Sequence, residues 1–366
     1  MEEHRSRQQQ HLYGHAVIRQ LTELARIRKR CHRPNQLRYV LGCVSAIASV
    51  FVCSGGFAYN PIPMDHTIAV AKQTARRGLT VYFVVLVVGS AFFETRILQT
   101  GESINKVQRL ILALMYMPAL ASLVARFTLR EGFGDVSLRW GGREGSRGVL
   151  LGWVYPMAVG FLAYGIAWTM GLAEFQRPLS PRSHLYLDSA AANLTASFIL
   201  MATLGTGVGC LSAFGEELGW RGYMLTRLIT AGVPKPVFMS GLIWAFWHVP
   251  LILSGQYASG PQPWLSAILF VIGVVATGYL TAYLRLQSGS VWPAVITHSA
   301  WNAIIQGTFD RATVGTPLAV GESGWLTMIA SVVMLLLMAH GSWSLQLRPT
   351  ERLAIHSGRP ASLLTL

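Results

Sequence analysis

Nine apolar segments divide this chain, and they constrain its fold more than any other feature of the sequence. A helix needs about 20 apolar residues to cross the hydrocarbon core of a bilayer. We therefore predict an all-α fold, a polytopic membrane helix bundle with an eight-helix core and one extra apolar segment at its amino-terminal end. The third and eighth segments are short, which favours helices that are buried among other helices. The segments lie at 39–59, 79–98, 110–125, 148–172, 190–211, 237–253, 264–284, 291–306 and 325–340.

The composition argues against an ordinary soluble domain. Hydrophobic residues make up 52% of the chain, charged residues only 13%, and the mean hydropathy is +0.42. The formal net charge is +14, and most of the positive excess lies between the apolar segments, as in the cytoplasmic loops of multi-pass proteins. We expect an integral, multi-pass membrane protein, in the cell membrane if the source is bacterial. Its surroundings are then the lipid bilayer, and a nucleic-acid partner is not expected.

The sequence divides into three parts. Residues 1–63 combine a basic arm with the extra apolar segment, residues 64–340 form the transmembrane helical domain with its polar motifs at 213–306, and residues 341–366 form a cytoplasmic tail. Arginines mark the cytoplasmic side, and they occur both in the amino-terminal arm and in the loops after the third, fifth and seventh segments. Nine crossings cannot place both ends on that side. Either the first apolar run does not cross, or the residues before Met64 are an appendage.

Two adjacent carboxylates stand out in the apolar sequence. Glu216 and Glu217 occur in the run Ala213-Phe-Gly-Glu-Glu-Leu-Gly-Trp-Arg221. An ionised side chain at the centre of a membrane helix costs roughly 2.5 to 3.5 kcal/mol, so such residues are usually paired or functional. Glu217 and Arg221 are one helical turn apart and can pair, which taken alone is a structural explanation. Glu216 projects about 100 degrees away and is left without a partner by this spacing.

Three further polar residues interrupt apolar helices downstream. His248 lies two residues before Pro250, while His298 and Asn302 are one turn apart in the short eighth segment. Each has a simple alternative explanation, because a membrane histidine or amide often hydrogen-bonds a backbone carbonyl or a neighbouring helix. Polar groups on three separate helices together favour a shared functional site.

The chemistry open to such a set is hydrolysis. A carboxylate in a low-dielectric cavity can take a proton from water, while imidazole and amide groups can donate hydrogen bonds to a tetrahedral oxyanion. This arrangement needs no covalent nucleophile. Equally, Glu216, His248 and His298 are a plausible ligand set for a zinc ion with an open fourth position. The sequence leaves the cofactor unknown, with a zinc mechanism and a metal-independent mechanism both open. The four cysteines show no metal-binding spacing.

These residues resemble the motifs of the CAAX prenyl protease and bacteriocin-processing family, also called the Abi or CPBP family of intramembrane proteases. The type II CAAX endopeptidases belong to it. The family is marked by EExxxR, then FxxxH, then HxxxN or HxxxB. In this chain the first motif reads Glu216-Glu217-Leu-Gly-Trp-Arg221 and is complete. The third motif reads His298-Ser-Ala-Trp-Asn302 and is also complete.

The second motif departs from the family pattern at one position. It reads Trp244-Ala-Phe-Trp-His248, with tryptophan in place of the usual phenylalanine, and we interpret this position as aromatic packing. The resemblance covers roughly residues 148–306. One motif alone would be weak, but the order and spacing of all three on successive apolar segments make the match specific.

The resemblance implies an intramembrane endopeptidase that cuts a peptide bond near the membrane surface. Its substrate is then a peptide or protein with a hydrophobic or lipidated end, as in CAAX-type processing. The implied roles are a general base for Glu216, a brace for Glu217 with Arg221, a water ligand for His248, and oxyanion stabilisation for His298 with Asn302.

Two alternatives remain open from the sequence: a transporter or proton relay, and a bacteriocin-immunity or scaffold protein. A passage open to both sides of the membrane would favour the transporter. A cavity that opens to one side only, near the arginine-bearing loops, would favour the protease.

A short match to a different protease class is rejected. Gly132-Phe-Gly-Asp135 fits the GxGD pattern of aspartyl intramembrane proteases. It lies in an arginine-rich loop rather than in a helix, and no Tyr-Asp partner occurs in the chain. A four-residue pattern outside its structural context carries little weight.

Overall fold

The computed structural model describes residues 64–102, 106–178, 189–315 and 317–340. Helices build this part of the chain, and the predicted all-α bundle is confirmed. Pairing of the strand type among these residues is limited to an isolated bridge between Phe175 and Thr313. The predicted apolar segment at 39–59, the basic arm and the carboxy-terminal tail lie outside the described residues.

Eleven α-helices can be numbered along the described residues. They are α1 (Met64–Thr100), α2 (Gln108–Met115), α3 (Met117–Leu129), α4 (Gly142–Thr169), α5 (Ala190–Leu200), α6 (Thr206–Gly219), α7 (Leu225–Thr230), α8 (Pro236–Leu253), α9 (Pro263–Ser288), α10 (Trp292–Trp301) and α11 (Trp325–His340). Three π-helical segments, Met201–Gly205, Trp220–Met224 and Asn302–Phe309, join or extend them.

Six stretches of the described residues are long and apolar enough to cross a membrane. They are Ala69–Thr100, Gln108–Leu129, Gly142–Thr169, Ala190–Thr230, Pro236–Leu253 and Pro263–Ser288, and a shorter apolar helix covers Trp325–Ala339. The predicted segment at 291–306 corresponds to α10 and the π-helical segment after it. Nearly every residue of α10 is buried, which agrees with the interpretation of this short segment as a helix packed among others.

The fifth predicted segment was wrong at its carboxy-terminal end. It was expected to stop at 211, but helical structure continues from Ala190 to Thr230, straight through the charged residues. Those charges resembled a membrane boundary in the sequence. They do not end the helix because they are paired inside the protein, as described below. The π-helical segment Trp220–Met224 follows the two glutamates by three residues, and such segments are frequent at functional sites.

Small residues bring the central helices close together. A Cβ atom placed on Gly219 of α6 would lie 2.4 Å from the backbone carbonyl of Pro118 in α3. On the opposite neighbour, a Cβ atom on Gly209 would lie 2.6 Å from the Ser299 hydroxyl of α10. Helix α6 is thus held between α3 and α10, and this fixes the position of Glu216 and Glu217 against the histidine of α10.

An ion cluster ties three helix ends together on one face of the bundle. Arg126 at the end of α3 and Arg227 in α7 each lie 2.6 Å from a carboxylate oxygen of Asp135, and Arg227 also pairs with Glu131 at 2.9 Å. Arg285 near the end of α9 donates to the Asp135 carbonyl oxygen at 2.8 Å. We refer to this side as the arginine face.

The surroundings of Asp135 agree with the rejection of the GxGD match. The residue lies in a short 3₁₀ turn, Gly134–Val136, and not in a membrane helix. Burial alone would raise the pKa of Asp135, but hydrogen bonding to Arg126 and the charges of Arg126 and Arg227 lower it below its usual value. An aspartate held ionised by two arginines is a structural anchor.

Candidate active site

Glu217 and Arg221 form a buried ion pair, as their spacing predicted. Both side chains are fully buried, and Nη1 of Arg221 donates to both carboxylate oxygens of Glu217, at 2.8 and 3.1 Å. Nδ1 of His298 lies 3.0 Å from the same Oε1 atom. Because a carboxylate can only accept, this contact places a proton on Nδ1 and fixes the orientation of the ring. Glu217 therefore links the α6 motif to the α10 motif.

Glu216 lies beside this pair with a different set of contacts. It is 2% exposed, and its Oε2 atom accepts hydrogen bonds from the indole nitrogens of Trp220, at 3.1 Å, and Trp244, at 2.9 Å. Its Oε1 atom faces Nε2 of His298 at 3.9 Å. That distance is too long for a direct hydrogen bond. One oxygen of Glu216 is thus held by two donors, and the other is directed toward an imidazole.

The interpretation of Trp244 as simple packing was incomplete. Its indole nitrogen donates to Glu216, a contact that the phenylalanine usual at this motif position cannot make. Its ring also lies under the Arg221 guanidinium, 4.3 Å from the ring centroid, in a cation–π arrangement. Trp244 therefore connects the second motif to both charged residues of the first. Trp220, the other indole donor to Glu216, lies inside the first motif at a variable position and was not singled out by sequence.

His248 lies on α8 with one side of its ring fixed by the backbone. Its Nδ1 atom is 2.9 Å from the carbonyl oxygen of Trp244. A carbonyl oxygen only accepts, so Nδ1 carries the proton, and Nε2 of the neutral ring is an acceptor. The ring stacks on Tyr257, with centroids 5.7 Å apart, and packs against Phe270. These contacts fix the tautomer and aim an acceptor nitrogen away from the helix backbone.

A cavity of about 20 Å³ lies where these helices meet. His248, His298 and Asn302 contribute to its walls, together with Trp244 and aromatic side chains. This volume holds one water molecule, since a water needs about 10 to 15 Å³ and several polar partners. Glu216 is behind this wall and reaches it through its contacts with Trp244 and His298. The cavity thus joins the second and third motifs, and His298 joins both to the first.

A further carboxylate, Glu322, lines the same cavity and was missed by the sequence analysis. Its Oε1 atom accepts from the Trp301 indole at 2.7 Å, and its Oε2 atom accepts from the Tyr257 hydroxyl at 2.5 Å. One signal was available: Glu322 is the single charged residue between Arg311 and His340 in the sequence. An isolated carboxylate between apolar segments deserved the same reasoning as Glu216.

The proposed zinc ligands do not fit a metal ion as they are placed. Among the described residues, no group of three His, Cys, Asp or Glu side chains is arranged to hold one. One carboxylate oxygen of Glu216 is already bonded to two indole groups, and Nδ1 of His248 is bonded to a carbonyl. The chemistry below therefore uses only the side chains themselves.

A second cavity of about 340 Å³ adjoins the first, and Tyr257 and Glu322 line both. Its walls come from the loop after α8, residues 255–260, and from residues 310–323 before α11. Both belong to the end of the bundle that is remote from the arginine face, because α8 and α9 run between the two. The expected opening near the arginine-bearing loops is therefore not found at this cavity.

Comparisons with known proteins identify the segment that carries the site. Residues 193–304 match the family model described as Type II CAAX prenyl endopeptidase Rce1-like. Over 130 residues the chain is 28% identical to CAAX prenyl protease 2 of Methanococcus maripaludis. This alignment covers 34% of the chain and 46% of that protein, so it spans less than half the relative's length. No solved structure matches the chain.

The matched segment contains every residue that the sequence analysis assigned to the site, from Glu216 to Asn302. It also contains both indole donors to Glu216, and it ends before Glu322. The geometry and the match thus concern the same helices. Through residues 193–304, this chain belongs to the Rce1-like family of type II CAAX prenyl endopeptidases.

Proposed function

We propose that this protein is an intramembrane endopeptidase in which Glu216 acts as the general base for water attack on a peptide bond. The observation that carries this proposal is the asymmetric surroundings of the Glu216 carboxylate. Two indole groups hold Oε2, while Oε1 faces Nε2 of His298 across 3.9 Å. A water molecule placed between them can contact both atoms. The base is then fixed in orientation before the substrate arrives.

The reaction is a direct hydrolysis. Glu216 takes a proton from the water as the water oxygen bonds to the carbonyl carbon, and the proton then passes to the amide nitrogen as the carbon–nitrogen bond breaks. The acceptor nitrogen of His248 holds the other water hydrogen. The Asn302 amide and protonated His298 donate to the oxyanion. General base catalysis of this kind contributes on the order of 10² to 10⁴ in rate.

Glu217 and Arg221 have a supporting role in this proposal. Their ion pair is fully buried, and Glu217 orients His298 through Nδ1. Removing one member would leave a buried charge without its partner, which costs about 3 to 5 kcal/mol. We therefore assign loss of folding, rather than a purely chemical defect, to substitution of Glu217.

The substrate class follows from the walls of the site and from the relatives. Aromatic side chains surround the small cavity, including Phe270 and Trp301, which suits a peptide with a hydrophobic or lipidated end. The similar archaeal protein is called a CAAX prenyl protease, and CAAX-type processing is the corresponding proposal here. We assign the activity to residues 64–340, with core motifs at 213–306, as an integral membrane enzyme that meets its substrate within the bilayer.

The experiment compares membranes that contain the wild-type protein with membranes that contain Glu216→Gln or His298→Ala. Both variants keep the size of the side chain or reduce it, so a matched thermal transition in detergent can verify folding. We expect peptide fragments that appear with the wild type and are absent with both variants, as measured by mass spectrometry of the membrane fraction. Exposed Glu174→Gln is the matched control and should leave the fragments unchanged. Identical fragments with folded Glu216→Gln would refute the assigned base.

A further inference from the structure

The cavity of about 340 Å³ beside the site has an acidic lining that the proposed reaction does not use. Asp310 and Glu322 both line it, and none of the described residues in its walls is Lys or Arg. Its volume falls at the lower end of the range for ligand pockets, roughly 300 to 1,000 Å³. A pocket of this size with two carboxylates and no cationic side chain attracts a positively charged group.

The two carboxylates are fixed in position. Glu322 accepts from the Trp301 indole and the Tyr257 hydroxyl, and Asp310 accepts from the Tyr164 hydroxyl. These neutral donors hold the oxygens in place and leave the charges uncompensated. The contrast with Asp135 on the arginine face is clear, because there two arginines neutralise the carboxylate.

A separate observation points to a bound group in the same cavity. Ser323 lines the pocket and is only 7% exposed, yet its hydroxyl has no hydrogen-bond partner. Leaving a buried hydroxyl unsatisfied costs about 1 to 3 kcal/mol, so such a group usually has a role. A ligand that accepts or donates a hydrogen bond at Ser323 would remove this cost.

The pocket is continuous with the site where the peptide bond would be cut. Tyr257 and Glu322 line both cavities, and the Tyr257 ring stacks on the His248 ring, with centroids 5.7 Å apart. A side chain bound in the pocket therefore belongs to a residue close in sequence to the scissile bond. A free lipid amine would have no such reason to bind beside the catalytic water.

We propose that the acidic pocket binds a lysine or arginine side chain of the polypeptide substrate, at a position near the bond that is cut. This inference rests on the proposed peptidase function. It names a specificity determinant: the enzyme selects substrates that carry a basic residue at a fixed distance from the cleavage site. Asp310 and Glu322 supply the charge, and Ser323 supplies a hydrogen bond.

Binding can be measured without cleavage in the Glu216→Gln protein, reconstituted in nanodiscs of neutral lipid. The probes are fluorescent farnesylated peptides that end in a CAAX sequence, identical except for one lysine that is moved stepwise along an all-glutamine parent. We expect one lysine position to bind roughly tenfold more tightly than the parent, which is the effect of one charge-assisted hydrogen bond. Equal affinity at all positions would overturn the proposal.

Two second-site variants test the pocket itself. Asp310→Asn keeps an oxygen that can accept from Tyr164, and Ser323→Ala removes a hydroxyl that has no partner, so both should fold with an unchanged or higher thermal transition. Each is expected to reduce the lysine preference severalfold, while exposed Glu174→Gln retains it. Full lysine preference in both folded variants would place the basic residue elsewhere and overturn the proposal.

The outcome for this pocket is distinguishable from the outcome for the reaction. If the wild type cleaves peptides but shows no lysine preference, the specificity proposal fails and the peptidase function stands. If the Glu216→Gln protein prefers lysine at one position but the wild type cleaves no peptide, the pocket stands and the peptidase function fails.

Discussion

The Trp244 indole connects the three parts of the site through one side chain. Its nitrogen donates to Glu216, its ring lies under Arg221, and its centroid is 5.3 Å from that of His298. The identity and spacing of the charged residues could be predicted from sequence, because i, i+4 pairs on apolar helices have few explanations. The role of Trp244 could not, because an indole reads equally as packing or as a donor until its neighbour is known.

Replacing Trp244 with phenylalanine should lower the rate of peptide cleavage by roughly tenfold or more. The variant keeps an aromatic ring but removes one hydrogen bond to the ionised Glu216, and a bond to a charged group contributes about 1.5 to 3 kcal/mol. Steady-state cleavage of a fluorogenic peptide measures the effect. Trp153→Phe is the matched control, since its indole bonds to the Ala202 carbonyl, away from the site. Equal losses in both variants would assign Trp244 to packing alone.

The helix that carries both glutamates shows which features of an element the sequence predicts and which it does not. The existence of a membrane helix from Ala190 was predicted, but its end was placed at 211 instead of Thr230. Composition shows where charges begin. It does not show that Arg221, Glu217 and His298 neutralise one another inside the bundle. The π-helical segments Met201–Gly205 and Trp220–Met224 also leave no simple periodic signal.

Gly219→Ala should destabilise the protein, whereas Gly207→Ala in the same helix should not. An added Cβ atom at Gly219 would meet the Pro118 backbone at 2.4 Å, while nothing lies within 4 Å of the Gly207 position. Overpacking of this kind costs about 1 to 3 kcal/mol, and a helical glycine replaced in open space gains about 0.5 to 1 kcal/mol. Thermal unfolding in detergent distinguishes the two. A similar transition temperature for both variants would mean that α3 and α6 can separate at little cost.

Charge is distributed unevenly between the two ends of the whole molecule. The ion cluster of Arg126, Arg227 and Arg285 lies on one face, whereas the acidic pocket lies among the loops at the other end. The sequence predicted the arginine-bearing loops correctly as a common face, because membrane helices alternate in direction. It predicted the wrong end for the cavity, because the distribution of arginines says nothing about where facing helices leave space.

Cysteine labelling in intact bacteria tests the orientation that follows from this asymmetry. Arginine-bearing loops are retained in the cytoplasm, so the pocket should open on the opposite side of the membrane. In a background without native cysteines, Glu174→Cys, in the loop that pairs with residue 314 beside the pocket, should react with a membrane-impermeant maleimide. Arg143→Cys, at the start of α4, should react only after the cells are permeabilised. The reverse pattern would place the pocket on the cytoplasmic side.

The purified protein offers the most direct test of the central claim, that Glu216 activates water without help from a metal ion. The measurement is kcat for hydrolysis of a farnesylated peptide by the wild type, with and without prior chelation by 1,10-phenanthroline, and by Glu216→Gln. We predict equal kcat before and after chelation, and a decrease on the order of 10² to 10⁴ for Glu216→Gln at an unchanged thermal transition. A folded Glu216→Gln enzyme with wild-type kcat, or activity that is lost on chelation and restored by zinc, would contradict the account.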